Sequence, residues 1–87
     1  MRASIEVINE VSQNTGAGWT LCFQWCRYNF DDPEADAEHG YRFIWRDPEN
    51  RLRPQMGQAR IPSIRIAREL MQQARRNGWG EHDGDAS

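Results

Sequence analysis

Residues 19–29 read Trp-Thr-Leu-Cys-Phe-Gln-Trp-Cys-Arg-Tyr-Asn, with a large apolar residue at every second position from Trp19 to Trp25. That alternation has the two-residue period of a β-strand and not the 3.6-residue period of a helix. It sends Trp19, Leu21, Phe23 and Trp25 to one face and Thr20, Cys22, Gln24, Cys26 and Tyr28 to the other. The chain is therefore committed to a sheet with a bulky aromatic face, and another element has to cover that face.

Residues 4–12 are rich in β-branched side chains and read as a strand before it. Asn14-Thr15-Gly16-Ala17-Gly18 joins the two as a hairpin, because glycine supplies the positive φ of tight turns. Residues 41–46 alternate again, with Tyr41, Phe43 and Trp45 on one side and Arg42, Ile44 and Arg46 on the other. Asp47-Pro48-Glu49-Asn50 reads as the next turn, since proline presets φ and asparagine tolerates the left-handed region. Residues 51–60 read as a weaker, irregular edge strand, because Pro54 lacks a ladder donor and Gly57 invites a bulge. Between the second and third strands, residues 31–39 carry five carboxylates and little to bury. They are expected to form a solvated loop with a helical turn from Pro33, closed by Gly40.

A helix follows. Pro62-Ser63 is a start signal, and Ile64, Ala67, Leu70, Met71 and Ala74 recur at spacings of three and four as an apolar stripe. Arg75 and Arg76 suit the negative end of the helix dipole. Gly78 is placed for a left-handed cap, and Trp79 can fold back on the last turn. The order is strand-strand-strand-strand-helix: an α+β fold, ββββα, in which short connections favour an antiparallel meander. The helix is expected to lie on the aromatic face of strands two and three.

The 87 residues make one domain, expected over 1–80, with a polar, acidic, disordered tail at 81–87. No internal repeat is visible. Four tryptophans, three phenylalanines and two tyrosines supply most of the core that so short a chain can build. No apolar run approaches the ~20 residues that span a bilayer, and residues 1–10 lack the apolar stretch of a secretory signal. The expected setting is the cytoplasm of a bacterium. Cys22 and Cys26 fit it as free thiols: on one strand their α-carbons lie about 13 Å apart at ~3.3 Å per residue, too far to bridge.

Nothing in the sequence assembles a catalytic set. His39 lies in the acidic loop and His82 in the tail, and a thiol–imidazole pair of Cys22 or Cys26 with His39 has less support than two packed cysteines beside an exposed histidine. The Cys-x-x-x-Cys spacing does not match zinc knuckles. The carboxylates Asp32, Glu34, Asp36 and Glu38 lack the glycine and terminal glutamate of a calcium loop. No metal or cofactor is expected.

All eleven basic residues are arginine, which suits phosphate recognition but is better accounted for by codon usage in a GC-rich genome. Nine of them lie in residues 41–80 against three acids, so the net charge of −2 hides a basic half with acidic appendages. Two surfaces follow. With one helix, the second sheet face is expected to lie open, presenting Cys22, Gln24, Cys26, Tyr28, Arg42, Ile44 and Arg46 as a mixed apolar and arginine surface that suits a protein partner or a second copy. Alternatively, Arg42, Arg46, Arg51, Arg53, Arg60, Arg65, Arg68, Arg75 and Arg76 could meet phosphates, which makes nucleic acid the second candidate partner. The first reading is a non-enzymatic interaction module of bacterial or phage type.

Overall fold

The structure, a computed structural model, describes residues 3–53 and 60–79. Four antiparallel strands form one curled sheet in chain order, β1 (Ala3–Gly16), β2 (Trp19–Phe30), β3 (Glu38–Arg46) and β4 (Leu52–Arg53), followed by α1 (Ile64–Arg76). The ββββα reading is correct. The expected acidic tail and most of the expected fourth strand, including Pro54 and Gly57, lie outside the described residues.

The first three strands are longer than the sequence suggests, and backbone pairing supplies the extra length. Pairing carries β1 to Gly16, where Gly16, Ala17 and Gly18 all take positive φ. Gly18 also touches the next turn, since a Cβ there would sit 3.0 Å from Cβ of Pro48. Pairing Tyr28 with Glu38 and Cys26 with Gly40 draws Glu38, His39 and Gly40 into β3, so Gly40 is a strand residue and not the end of the loop. Pro33 starts no helix. Residues 32–35 form a single turn, with the Ala35 N–H donating to the Asp32 carbonyl and the Glu34 N–H to the Asp32 carboxylate.

The alternation of β2 sets the core. Leu21, Phe23, Trp25 and Trp45 are buried with Val11 of β1, with Leu70 and Ala74 of α1, and with Trp79. Ser63 caps the helix by accepting from the Ile66 N–H at 3.1 Å. At the other end Gly78 is left-handed; its N–H donates to the Arg75 carbonyl and that of Trp79 to the Ala74 carbonyl, the paired bonds of a Schellman cap. The cap turns Trp79 back onto the sheet, where its ring stacks 5.9 Å from Phe23.

The helix packs across β1 and β2, not across β2 and β3 as the sequence suggested. A helix about 10 Å wide spans only about two strands spaced ~4.8 Å apart. The β3 side of the aromatic face therefore closes on itself: Tyr41 stacks 5.2 Å from Phe23, Phe43 lies 4.8 Å from it, and both stay half-buried. The apolar stripe of the helix is correspondingly narrow. Leu70 is 1% exposed, whereas Ile64 at 79% and Met71 at 45% point away from the core. Leu70→Ala is expected to cost about 2–5 kcal/mol in urea unfolding. Ile64→Ala should stay within about 0.5 kcal/mol of the parent, although the sequence places both in one stripe.

Candidate functional site

The register of the sheet defines its second face. Glu10 and Ser12 lie opposite Gln24 and Cys22, and Arg42 and Ile44 lie opposite the same two residues on the other side. This alignment depends on a bulge. The β1–β2 register slips between Val7 and Asn9, leaving Ile8 as the extra residue, so Ile5 and Val7 on one side of the bulge share a face with Glu10 and Ser12 on the other.

The face expected to be open is closed at its centre. Cys22, Gln24 and Cys26 have no exposed surface and Ile44 is 4% exposed; Tyr28, Arg42 and Arg46 are half-buried. Long side chains from the flanking strands arch over the short ones of β2 and join in a polar chain. Arg46 donates to Glu10 Oε1 at 2.9 Å, and Gln24 Nε2 donates to the same oxygen at 2.6 Å. Arg42 Nε donates to Gln24 Oε1 at 2.7 Å, and the Cys26 thiol approaches that oxygen at 3.7 Å. A buried glutamine is tolerated here because both ends of its amide are satisfied. The second face is thus a sealed deck, not an apolar docking patch. Glu10, which completes it, cannot be identified from the sequence, because nothing there shows the bulge that aligns it with Gln24.

The electrostatics follow from this chain of contacts. Burial works to raise the Glu10 carboxyl, but its bonds to Arg46 and Gln24 and the Arg46 charge outweigh burial and hold it below its ordinary value. The bond to Glu10 raises Arg46 in turn. Burial, helped by the Glu10 charge, pushes the Cys22 thiol up to about 11. Burial raises Cys26 as well, against the opposing charge of Arg42, and it raises the Tyr28 phenol. Thiols raised in this way are poor nucleophiles, and His39 stacks on the Trp25 ring 5.6 Å away, on the opposite side of the sheet from both cysteines.

The nine candidate arginines do not share one surface. Arg42 and Arg46 belong to the sealed deck, and Arg46 also donates to the Asn50 carbonyl. Arg51 and Arg53 serve the turn after β3: Arg53 Nε and the Arg51 N–H both donate to the buried Asp47 carboxylate at 2.9 Å, while the Arg51 guanidinium also pairs with Glu49. These bonds, with that of the Arg51 N–H foremost, hold the Asp47 carboxyl below its ordinary value. The Arg60 carbonyl accepts the Trp45 indole N–H at 2.9 Å. Arg65 pairs with Glu69, and Arg65, Arg68, Arg75 and Arg76 are exposed on α1, across the sheet from Arg42 and Arg46.

A different feature lies uncovered. β1 is an edge strand of 14 residues, and among the described residues no strand pairs with its outer edge. Its first half exposes Ile5 at 43%, Val7 at 38% and Ile8 at 45%. The outer edge of β3 is also unpaired over Glu38–Ile44 among the described residues, but no large aliphatic is exposed there. No family model, curated protein or solved structure matches the chain.

Two outcomes follow. Cys22 and Cys26 should resist alkylation by iodoacetamide at neutral pH and label fully in denaturant, as read by mass spectrometry. Glu10 and Asp47 both have folded pKa values below their unfolded ones, so the stability they contribute is present at neutral pH and lost as acid titrates the folded carboxyls. The urea midpoint should hold from pH 7 to about 5 and fall below about pH 4. The Glu10→Gln/Asp47→Asn double variant should show a shallower fall.

Proposed function

We propose that the protein is a non-enzymatic protein-interaction module that takes an extended segment of its partner onto the outer edge of β1. The carrying observation is the exposed Ile5, Val7 and Ile8 on a long edge strand whose outer edge pairs with no strand among the described residues. Sheet edges of this kind are normally blunted by lysine, proline or a covering element. β1 contains neither lysine nor proline; what interrupts its exposed first half is the Glu6 charge and the bulge at Ile8, with a second register shift only at its far end, between Asn14 and Gly16. Strand addition is a general mode of recognition in which backbone hydrogen bonds give affinity and alternate side chains give specificity. On the second face, Ile5 and Val7 sit beside Tyr28 and Cys26, so an added strand would extend a rim that already carries apolar side chains. The partner is a foreign chain or a second copy, and either would use the same edge.

The nucleic-acid reading has less support. Arg42, Arg46, Arg51, Arg53 and Arg65 are engaged with polar partners within the chain, and the helix arginines lie across the sheet from the deck. Phosphate-driven affinity needs several cations on one surface.

Ile5→Lys/Val7→Lys places charges on exposed positions of the edge and is expected to leave unfolding within about 1 kcal/mol of the parent. Dodecapeptides selected from a displayed random library against the parent should bind it and not this variant. Light scattering of the chain alone separates self-pairing, seen as a dimer that the variant loses, from a foreign partner, seen as a monomer. A monomer whose selected peptides bind parent and variant equally would overturn the edge assignment.

A further inference from the structure

Beside the second half of β1, past the bulge, the edge meets the flank of α1. Ser12 and Gln13 on the strand and Gln72, Gln73 and Arg76 on the helix line a pocket of about 250 Å3, with Leu70 contributing an apolar wall. Glu69, Gln72, Gln73 and Arg76 are spaced three and four apart, which puts them on one flank of the helix, beside its buried stripe of Leu70 and Ala74. That volume falls below the ~300–1,000 Å3 of sites built for drug-sized ligands, so it suits one or two side chains and not a cofactor. One group in the pocket is unsatisfied: Gln13 Oε1 is buried and has no hydrogen-bond partner among the described residues. Folded proteins seldom leave a buried acceptor in that state, because its desolvation is not offset by any bond.

We infer that this pocket receives a side chain of the strand added to β1, and that the side chain is a hydrogen-bond donor, a primary amide or a hydroxyl, whose hydrogen goes to Gln13 Oε1. The inference rests on the strand-addition reading and specifies the chemistry of the partner. The pocket is lined by β1 and α1 with no residue of β2, which places it at the edge that the added strand would occupy, and its lining is mainly amide and hydroxyl. The Glu69 carboxylate is already paired with Arg65 at 2.8 Å and Arg76 already puts a cation beside the pocket, so a neutral donor suits Gln13 Oε1 better than a further cation. From Ile5 to Gln13 the edge runs about 26 Å at ~3.3 Å per residue, within the reach of one twelve-residue segment.

The test uses the whole chain and the displayed dodecapeptides, with affinities from titration calorimetry. Selected peptides should share an asparagine, glutamine, serine or threonine at one position. Gln13→Met should weaken them about tenfold or more, and replacing the shared residue by leucine or valine should weaken them equally, with no further loss when both changes are combined. In the absence of peptide, Gln13→Met should raise the urea midpoint, because it removes the orphaned acceptor. Peptides that lose binding in Ile5→Lys/Val7→Lys but bind Gln13→Met like the parent would overturn the pocket inference and leave the edge reading standing. Peptides indifferent to both variants would overturn both. A Gln13→Met midpoint at or below the parent's would mean that solvent already satisfies the acceptor, and would overturn the inference without reference to any partner.

Discussion

A helix of 13 residues laid on a four-stranded sheet can cover only one face, and only about two strands of it. The opposite face of β2 carries Cys22, Gln24 and Cys26, which are too short to shield the backbone beneath them unaided. The flanking strands supply the cover. Glu10 from β1, and Arg42 and Arg46 from β3, reach over the central strand and meet at the Gln24 amide. Charged side chains do this well because their long stems pack over apolar atoms while their heads find partners. A helix on one face and a polar lattice on the other let this short chain bury both sides of its central strand.

That solution fixes what remains for recognition. The deck centre is occupied by its own hydrogen bonds, and the aromatic row of Phe23, Trp25, Tyr41 and His39 is occupied by ring-on-ring stacking. The helix sits toward β1, where Val11 is buried with Leu70, while the first half of the strand, before the bulge, keeps its aliphatics exposed. The edge of β1 therefore joins three features: an outer backbone edge and a pocket acceptor that have no partner among the described residues, and exposed β-branched side chains. Each alone is an ordinary imperfection of a small fold. Together they are the grounds for the proposed seat for an extended chain.

The order of elements was legible because it depends on local signals: the alternation from Trp19 to Trp25, the Gly16-Ala17-Gly18 turn, Ser63 as cap and Gly78 with Trp79 as stop. Relations between strands were not. The bulge at Ile8 decides which β1 residues face Gln24, and nothing in Glu-Val-Ile-Asn-Glu announces it. Without that register, Gln24 and Ile44 look like open-face residues, whereas they are buried. The helix stripe came out too wide for a similar reason. Ile64 and Met71 satisfy the periodicity, but which turns of the helix meet the sheet is a matter of docking. Glycine and proline in the sequence did not reveal the edge or the pocket, because both come from placing β1 beside α1.

Coupled side chains seal the second face. A double-mutant cycle on Glu10 and Arg46, with Glu10→Ala, Arg46→Ala and the double variant unfolded in urea at neutral pH, tests the seal most directly. A seal predicts a coupling of about 1 kcal/mol or more, with Cys22 becoming reactive to iodoacetamide in each single variant. A coupling near zero, as exposed ion pairs often show, with Cys22 still protected in every variant, would contradict it.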